Sequence, residues 1–128
     1  MADILLIEPD HVLAQTYKNS LASKFRRVRV CASAQQAIHA LDKRQPDIIV
    51  LELQLADHGG IEFLYELRSY PEWQSIPIVV HSFVPQYLFS DNKQQIQNLG
   101  IAQYLYKPGC SLAQLNRAVA EVLETVHV

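Results

Sequence analysis

Short apolar runs rich in β-branched residues alternate along this chain with longer stretches of helical periodicity. Five such runs occur, and we expect them to form strands at residues 4–7, 28–31, 48–53, 76–80 and 101–106. Consecutive parallel strands need a crossover segment between them, which is usually a helix. Repeated strand–helix units therefore predict an α/β fold, a (βα)5 doubly wound five-stranded parallel sheet with helices on both faces.

Length and charge limit the classes of function. A chain of 128 residues can bury a core of its own, so we expect a single domain spanning residues 1–128. The formal net charge of −2 provides no basic field for nucleic acid or an anionic membrane. The first apolar run is too short for a signal peptide or a membrane span. We therefore predict a cytoplasmic protein that binds neither nucleic acid nor a membrane through this domain.

Three of the helices have recognisable start signals. Asp10 is placed to cap the first helix, and Ser33 and Ser111 each begin a capping box. Trp73 is expected to seal the loop before strand 4. From helical periodicity, the residues predicted to face the sheet are Val12, Leu13, Tyr17, Leu21, Ala22, Ala37, Ile38, Leu41, Ile61, Phe63, Leu64, Leu67, Leu112, Leu115, Ala118, Val119, Val122 and Leu123.

Polar side chains stand at the predicted ends of four strands. These residues are Glu8, Glu52, Ser82 and Lys107. In a doubly wound sheet, ligands bind in a crevice outside the carboxyl ends of the strands. We therefore expect the four side chains to converge at one edge of the sheet and to form the functional site.

The order and spacing of four segments resemble the receiver domain of two-component response regulators. These segments are Ile4 to Asp10, Pro46 to Leu53 with Gly60 to Leu64 after it, Ile76 to Ser82, and Tyr104 to Pro108. The resemblance covers residues 3–126. It implies a flavodoxin-like, CheY-like sheet with strand order 2-1-3-4-5, and a signal-transduction module that belongs to a phosphorelay and is not an enzyme.

The resemblance also implies a role for each position of the site. In an active receiver, an aspartate at position 52 accepts a phosphoryl group from a phosphohistidine, and an acidic pair at positions 8 and 9 holds a divalent cation. Ser82 and Lys107 then contact the acyl phosphate. Tyr104 occupies the position of the switch aromatic residue, and the peptide bond before Pro108 is expected to be cis.

Two departures from the family pattern affect this chemistry. Glu52 is one methylene longer than aspartate, which moves its carboxylate up to about 1.5 Å, and a misplacement of that size can cost on the order of 100-fold in rate. Pro9 offers no side-chain oxygen to Mg²⁺, which demands near-octahedral oxygen ligands. Glu8, Asp10 and Glu52 would give at best a weak metal site, although capping is the simpler role for Asp10. We expect no other cofactor.

Two interpretations of Glu52 remain open. In the simpler one, Glu52 and Lys107 form a structural ion pair at a degenerate site. In the other, the carboxylate replaces the phosphoryl group and holds Ser82 as well as Lys107, although it carries one negative charge against about 1.5 to 2 for a phosphoryl group. The two interpretations differ in whether Ser82 contacts Glu52.

The first functional hypothesis is therefore a phosphorylation-independent pseudo-receiver that acts through protein–protein interaction. Its expected partners are other signalling proteins or an output domain, with a homodimer through helix 4, strand 5 and helix 5 of the five-helix pattern as one option. The candidate interaction residues are Tyr87, Leu88, Phe89 and Tyr104.

The alternative hypothesis is a response regulator that can still be phosphorylated. It would take phosphate from a histidine kinase or a small donor in an Mg²⁺-dependent way, on Glu52 or Asp57. A third option, a nucleotide or flavin binder, is disfavoured because the segment after strand 1 is acidic where a phosphate-binding loop would be needed.

Overall fold

Five parallel strands form one sheet in the computed structural model, which describes residues 1–89 and 93–126 but not the side chains of Phe89, Lys93 and Val126. The strands are β1 (Ala2–Ile7), β2 (Arg26–Cys31), β3 (Ile48–Leu51), β4 (Ile78–Ser82) and β5 (Ile101–Tyr106). Their order is β2-β1-β3-β4-β5. Both the parallel sheet and the predicted strand order are confirmed.

Helices connect the strands across both faces of the sheet. They are α1 (His11–Leu21), α2 (Ala34–Lys43), α3 (Gly60–Ser69), α4 (Gln86–Phe89), α5 (Lys93–Asn98) and α6 (Leu112–Val126). Two short 3-10 helices, Pro71–Trp73 and Lys107–Gly109, precede β4 and follow β5. In the described part of the chain, two short helices lie between β4 and β5 where the five-unit pattern predicts one.

The predicted caps are confirmed. Asp10, Ser33 and Ser111 each accept a hydrogen bond from the backbone amide three residues later, at 2.9 to 3.1 Å. Each bond satisfies one of the amides that a helix leaves without a partner in its first turn. These caps fix where α1, α2 and α6 begin, just beyond the carboxyl ends of the strands.

The sheet separates two apolar layers. The layer under α1 and α6 is built on residues such as Ile4, Leu6, Val50 and Val119, and the layer under α2 and α3 on residues such as Leu5. All four residues of the central strand β3 are buried, as expected for a strand covered on both faces. Among the described residues, no helix has the length and hydropathy needed to traverse a lipid bilayer.

Four of the residues predicted to face the sheet are exposed instead. Val12, Leu112 and Ile61 are 76%, 42% and 39% exposed, and Ala22 is also exposed. The first three lie in the first turns of α1, α6 and α3, where the helix starts beyond the end of the sheet and has little to pack against. Ala22 is the C-cap of α1 and lies beyond its last turn.

Arg68 joins the two segments that lead into β4 and β5, at the amino ends of the strands. Its guanidinium donates to the backbone carbonyl oxygens of Leu99, Trp73, Gln74 and Ile76 at 2.8 to 3.1 Å. These carbonyls belong to the segments that lead into β4 and β5. Trp73 itself is buried, as predicted.

Candidate functional site

The four polar residues at the strand ends come together. Glu8, Glu52, Ser82 and Lys107 are 3%, 2%, 0% and 7% exposed, and they lie at the ends of β1, β3, β4 and β5. Buried charges are rare unless they are paired and hydrogen-bonded. The arrangement therefore depends on the contacts that these side chains make with one another.

Lys107 bridges the two carboxylates. Its Nζ lies 2.5 Å from Oε1 of Glu8 and 2.6 Å from Oε1 of Glu52. Burial alone would lower the pKa of the ammonium group, but hydrogen bonds to Glu52 and Glu8 outweigh burial and raise the pKa of Lys107. The ammonium group therefore stays charged between the two carboxyl groups.

Glu52 also contacts Ser82. Oε2 of Glu52 accepts a hydrogen bond from the Ser82 hydroxyl and one from the amide of Gln54 at 3.0 Å, while Oε1 accepts from Lys107 and from the amide of Phe83 at 3.3 Å. Burial tends to raise the pKa of Glu52, but the bonds from Lys107, Ser82 and Gln54 lower it overall. Both carboxylate oxygens are thus fully engaged, and the contact that separates the two interpretations of Glu52 is present.

The Ser82 hydroxyl organises the backbone around the site. While it donates to Glu52, its oxygen accepts from the amides of Val84 at 3.0 Å and Leu53 at 3.4 Å. Leu53 follows β3, and Val84 lies in the loop between β4 and α4. One hydroxyl group therefore joins the carboxylate to both segments.

Aromatic rings enclose the lysine. Nζ of Lys107 lies 4.6 Å from the ring centre of Phe83 and 5.7 Å from that of Tyr17, both within the range of cation–π contacts. The Phe83 ring is 47% exposed and covers the lysine on the solvent side. The sequence patterns did not predict that Phe83 covers Lys107. The one sign of it in the sequence is a bulky residue directly after Ser82.

His81 lies buried beside the same group. Its imidazole packs edge-on against the ring of Tyr17, with 4.7 Å between the ring centres. Burial and the nearby charge of Lys107 lower its pKa to about 4, with Glu52 acting in the opposite direction. His81 is therefore neutral at physiological pH.

Tyr104 is turned toward the loop after β4. Its half-buried hydroxyl donates to the carbonyl oxygen of Val84 at 2.6 Å, and burial together with the charge of Glu52 raises the phenol pKa to about 12. Of the other candidate interaction residues, Tyr87 is 71% exposed and Leu88 is 67% exposed. The side chain of Phe89 lies outside the described part of the structure.

The residues at this edge do not fit a divalent cation. Glu8 and Glu52 already accept from Lys107, and Pro9 contributes no side-chain oxygen. Oδ1 of Asp10 caps α1. Within residues 1–89 and 93–126, no group of three or more histidine, cysteine or acidic side chains is arranged to hold a metal ion.

The prediction of a cis peptide bond before Pro108 is wrong, because the Lys107–Pro108 bond is trans. Lys107–Gly109 forms a 3-10 helix that is closed by a bond from the amide of Cys110 to the Lys107 carbonyl at 3.0 Å. Proline fits the beginning of such a turn, where its fixed φ is helical and its missing N–H is not needed.

Asp57 lies away from the four converging residues. Its carboxylate accepts from the amides of Ala34 and Gln35, at 3.2 and 3.1 Å, and so caps the first turn of α2 from a distant loop. Burial slightly opposes ionisation of Asp57. The hydrogen bonds from the backbone of Gln35, His58 and Ala34 outweigh it and lower the Asp57 pKa to about 2. Helical periodicity gave no signal for this long-range cap.

Comparison with known proteins agrees with the geometry. The family model of the response regulator receiver domain matches residues 4–120. The KDP operon transcriptional regulatory protein KdpE of Escherichia coli is 29% identical over 84% of this chain, and the match covers 45% of KdpE. The alginate biosynthesis transcriptional regulatory protein AlgB of Pseudomonas aeruginosa is 31% identical over 94% of this chain, and the match covers 26% of AlgB. The chain thus spans less than half the length of these relatives.

Solved structures show the same fold. A sensor protein from Polaromonas has a TM-score of 0.86 at 22% identity, with 98% of each chain covered. The signal receiver domain of a LuxO repressor protein from Vibrio parahaemolyticus has a TM-score of 0.84 at 20% identity, covering 98% of this chain and 92% of that one. The parallel sheet with its lysine and acids at the carboxyl edge, and the match over residues 4–120, lead to one conclusion: the chain belongs to the receiver domains of two-component response regulators.

Proposed function

We propose that this receiver domain signals without phosphorylation, and that the Glu52 carboxylate stands permanently where a phosphoryl group would be held in an active receiver. The domain would act by binding other signalling proteins or an output domain. Its output would be set by the amount of protein or by its partners, because no phosphoryl group arrives or leaves.

The contact between Glu52 and Ser82 carries this proposal. An ion pair alone would need only Lys107, whereas here the carboxylate receives both the lysine and the hydroxyl that the family uses to hold the acyl phosphate. The same hydroxyl accepts from Leu53 and Val84, so the loop after β4 is fixed by the carboxylate.

The site is also poorly suited to phosphoryl transfer. A nucleophile needs an accessible lone pair, but both oxygens of Glu52 accept two hydrogen bonds each and the carboxylate is 2% exposed. The developing charge of a transferring phosphoryl group is normally offset by a divalent cation. The residues that would hold one are engaged elsewhere or replaced by Pro9.

Mass spectrometry after incubation with acetyl phosphate and Mg²⁺ tests the proposal. We expect no increase of about 80 Da in the intact mass, and no change in the amide spectrum on adding beryllofluoride. The double variant Pro9→Asp with Glu52→Asp is the matched control, since it restores both missing groups and should gain the adduct. An acid-stable or labile adduct on the unmodified protein would contradict the proposal.

A second measurement tests whether the Glu52 carboxylate holds the loop after β4 in place. Glu52→Gln keeps the shape of the side chain but removes its charge, so we expect shifts in the amide resonances of Leu53, Phe83 and Val84. Glu72→Gln is the control, because that side chain is exposed before β4, at the amino ends of the strands. If the two variants gave equally small shifts around Val84, Glu52 would be a passive ion-pair partner.

A further inference from the structure

An apolar groove opens beside the site. It has a volume of about 330 Å³, with walls formed by Leu53, Ile61, Val84 and Leu88, and the Gly59–Gly60 turn lies between them. Leu88 is 67% exposed and Ile61 is 39% exposed, so the walls face solvent. The amides of Leu53 and Val84 both donate to Ser82, which fixes the distance between the two sides of the groove.

The charge around this groove is negative. Glu62 lines it and is 73% exposed, and among the described residues no lysine or arginine lines it. An occupant of matching chemistry would present an apolar side chain flanked by positive charges.

The chain itself carries such a feature at its other end. Phe25 is 73% exposed at the tip of a tight turn, between Lys24 and the pair Arg26 and Arg27. Arg29 and Arg44 pair with the buried Asp3, so the positive charge beside the ring is that of Lys24, Arg26 and Arg27. A large aromatic side chain left in water and surrounded by cations has no role in the core of its own domain.

The turn holds Phe25 in a fixed position. The backbones of Ser23 and Arg26 exchange two hydrogen bonds at 3.1 and 3.3 Å, and the Phe25 amide donates to Oγ of Ser23 at 3.1 Å. The Phe25 carbonyl accepts from the amide of Ala2 at 2.8 Å, which anchors the turn to β1. A preorganised side chain loses little conformational entropy when it binds.

We propose that copies of this chain associate head to tail, with the Phe25 turn of one copy bound in the apolar groove of the next. The turn precedes β2 at the amino ends of the strands, and the groove lies at their carboxyl ends. The two surfaces of one copy therefore cannot meet each other, and each copy keeps a free turn and a free groove. Such a heterologous contact extends into chains or closes into rings.

This contact does not depend on Glu52 replacing a phosphoryl group, because the turn and the groove are present whatever the carboxylate does. The interface is small and its rims are charged. We therefore expect weak association that strengthens with protein concentration and weakens at high salt, where screening acts over about 3 Å at 1 M.

Sedimentation velocity over a concentration series tests the proposal. The unmodified protein should form species larger than a dimer, while Phe25→Ser and Leu88→Ser should each raise the dissociation constant roughly tenfold or more. Val12→Ser is the matched control, because Val12 is an equally exposed apolar residue at neither surface. A protein that stays monomeric throughout would overturn the proposal.

Mixing the two variants gives the sharpest result. Phe25→Ser retains an intact groove and Leu88→Ser an intact turn, so an equimolar mixture should form a one-to-one dimer that cannot grow further. Arg27→Glu mixed with Glu62→Lys should likewise restore an attractive pair that each lacks alone. If Leu88→Ser abolished association but Phe25→Ser did not, another segment would occupy the groove and the proposal would be wrong.

Discussion

The phenolic oxygen of Tyr104 lies 2.6 Å from the carbonyl oxygen of Val84. This hydrogen bond joins β5 to the loop after β4, and the amide of the same Val84 donates to Ser82. Tyr104 is therefore linked to Glu52 through one residue of the loop. The orientation of Tyr104 and the contact between Ser82 and Glu52 are parts of a single arrangement.

Removal of this hydroxyl should loosen the loop. We expect Tyr104→Phe to lower the free energy of unfolding by about 1 kcal/mol, the usual net value of one hydrogen bond, and to shift the amide resonances of residues 83–85. Urea denaturation and heteronuclear NMR measure the two effects. Tyr106→Phe is the control, since Tyr106 is 46% exposed, and equal effects in both variants would contradict the coupling.

The pKa of His81 predicts a loss of stability in mild acid. Because the folded-state pKa of about 4 lies below the ordinary histidine pKa of about 6.5, the unfolded chain takes up this proton first as the pH falls. Stability is therefore retained above pH 6.5 and lost between about pH 6.5 and 4, with a cost of about 2 kcal/mol at pH 5.

The variant His81→Phe isolates this contribution. It keeps a ring against Tyr17 but cannot be protonated, so its unfolding free energy should change less between pH 7 and pH 5 than that of the unmodified protein. Chemical denaturation at the two pH values gives the comparison. Parallel pH profiles for the two proteins would show that His81 is not the group responsible.

Arg68 should contribute more to stability than a partly buried side chain with a single partner would. The flat guanidinium reaches four backbone carbonyl oxygens at once, whereas a lysine ammonium cannot span them. We expect Arg68→Lys to lower the free energy of unfolding by about 2 kcal/mol. The same exchange at the exposed Arg117 should cost less than about 0.5 kcal/mol, and similar losses at both positions would refute the assignment.

Two adjacent glycines should respond in opposite directions. A Cβ on Gly60 would lie 2.6 Å from the Cα of Leu53, so the backbone would have to shift, and Gly60→Ala should cost about 1 to 3 kcal/mol. Gly59 is the N-cap of α3 and has no side chain to cap the helix. A Cβ added there would meet no atom within 4 Å. Gly59→Ser should stabilise the protein by up to about 1 kcal/mol, although glycine is itself a fair N-cap.

Thermal unfolding of the two single variants provides the measurement. A lower midpoint for Gly60→Ala together with an unchanged or higher midpoint for Gly59→Ser is the expected pattern. A neutral Gly60→Ala would mean that the Leu53 backbone lies further from Gly60 than the 2.6 Å between the added Cβ and the Leu53 Cα implies.

The sequence determined the sheet and the place of the site. Strand order and the convergence of Glu8, Glu52 and Lys107 follow from strand-like runs that each end in a polar residue, since parallel strands bring those ends to one edge. The helix caps were also predictable, because capping is a local interaction between residues three apart. β3 ends at Leu51 rather than Leu53, and the Leu53 amide bonds to the Ser82 hydroxyl.

The remaining features depend on contacts that periodicity does not encode. Val12 and Leu112 have the right spacing to face inward, but the pattern does not show how far a helix extends past the sheet. Asp57 caps a helix 22 residues away in sequence. The contact between Ser82 and Glu52 required side-chain geometry, since the residue types alone were equally compatible with an ion pair.

The carbonyl oxygens bound by Arg68 lie at the amino ends of the strands, whereas Glu52 and its partners lie at their carboxyl ends. None of the side chains named at one end takes part in the contacts described at the other, so a substitution of Glu52 or Lys107 leaves the hydrogen bonds of Arg68 in place. Residues at the carboxyl ends could therefore change over evolution while the contacts at the amino ends still hold the sheet, which lets one scaffold serve more than one task.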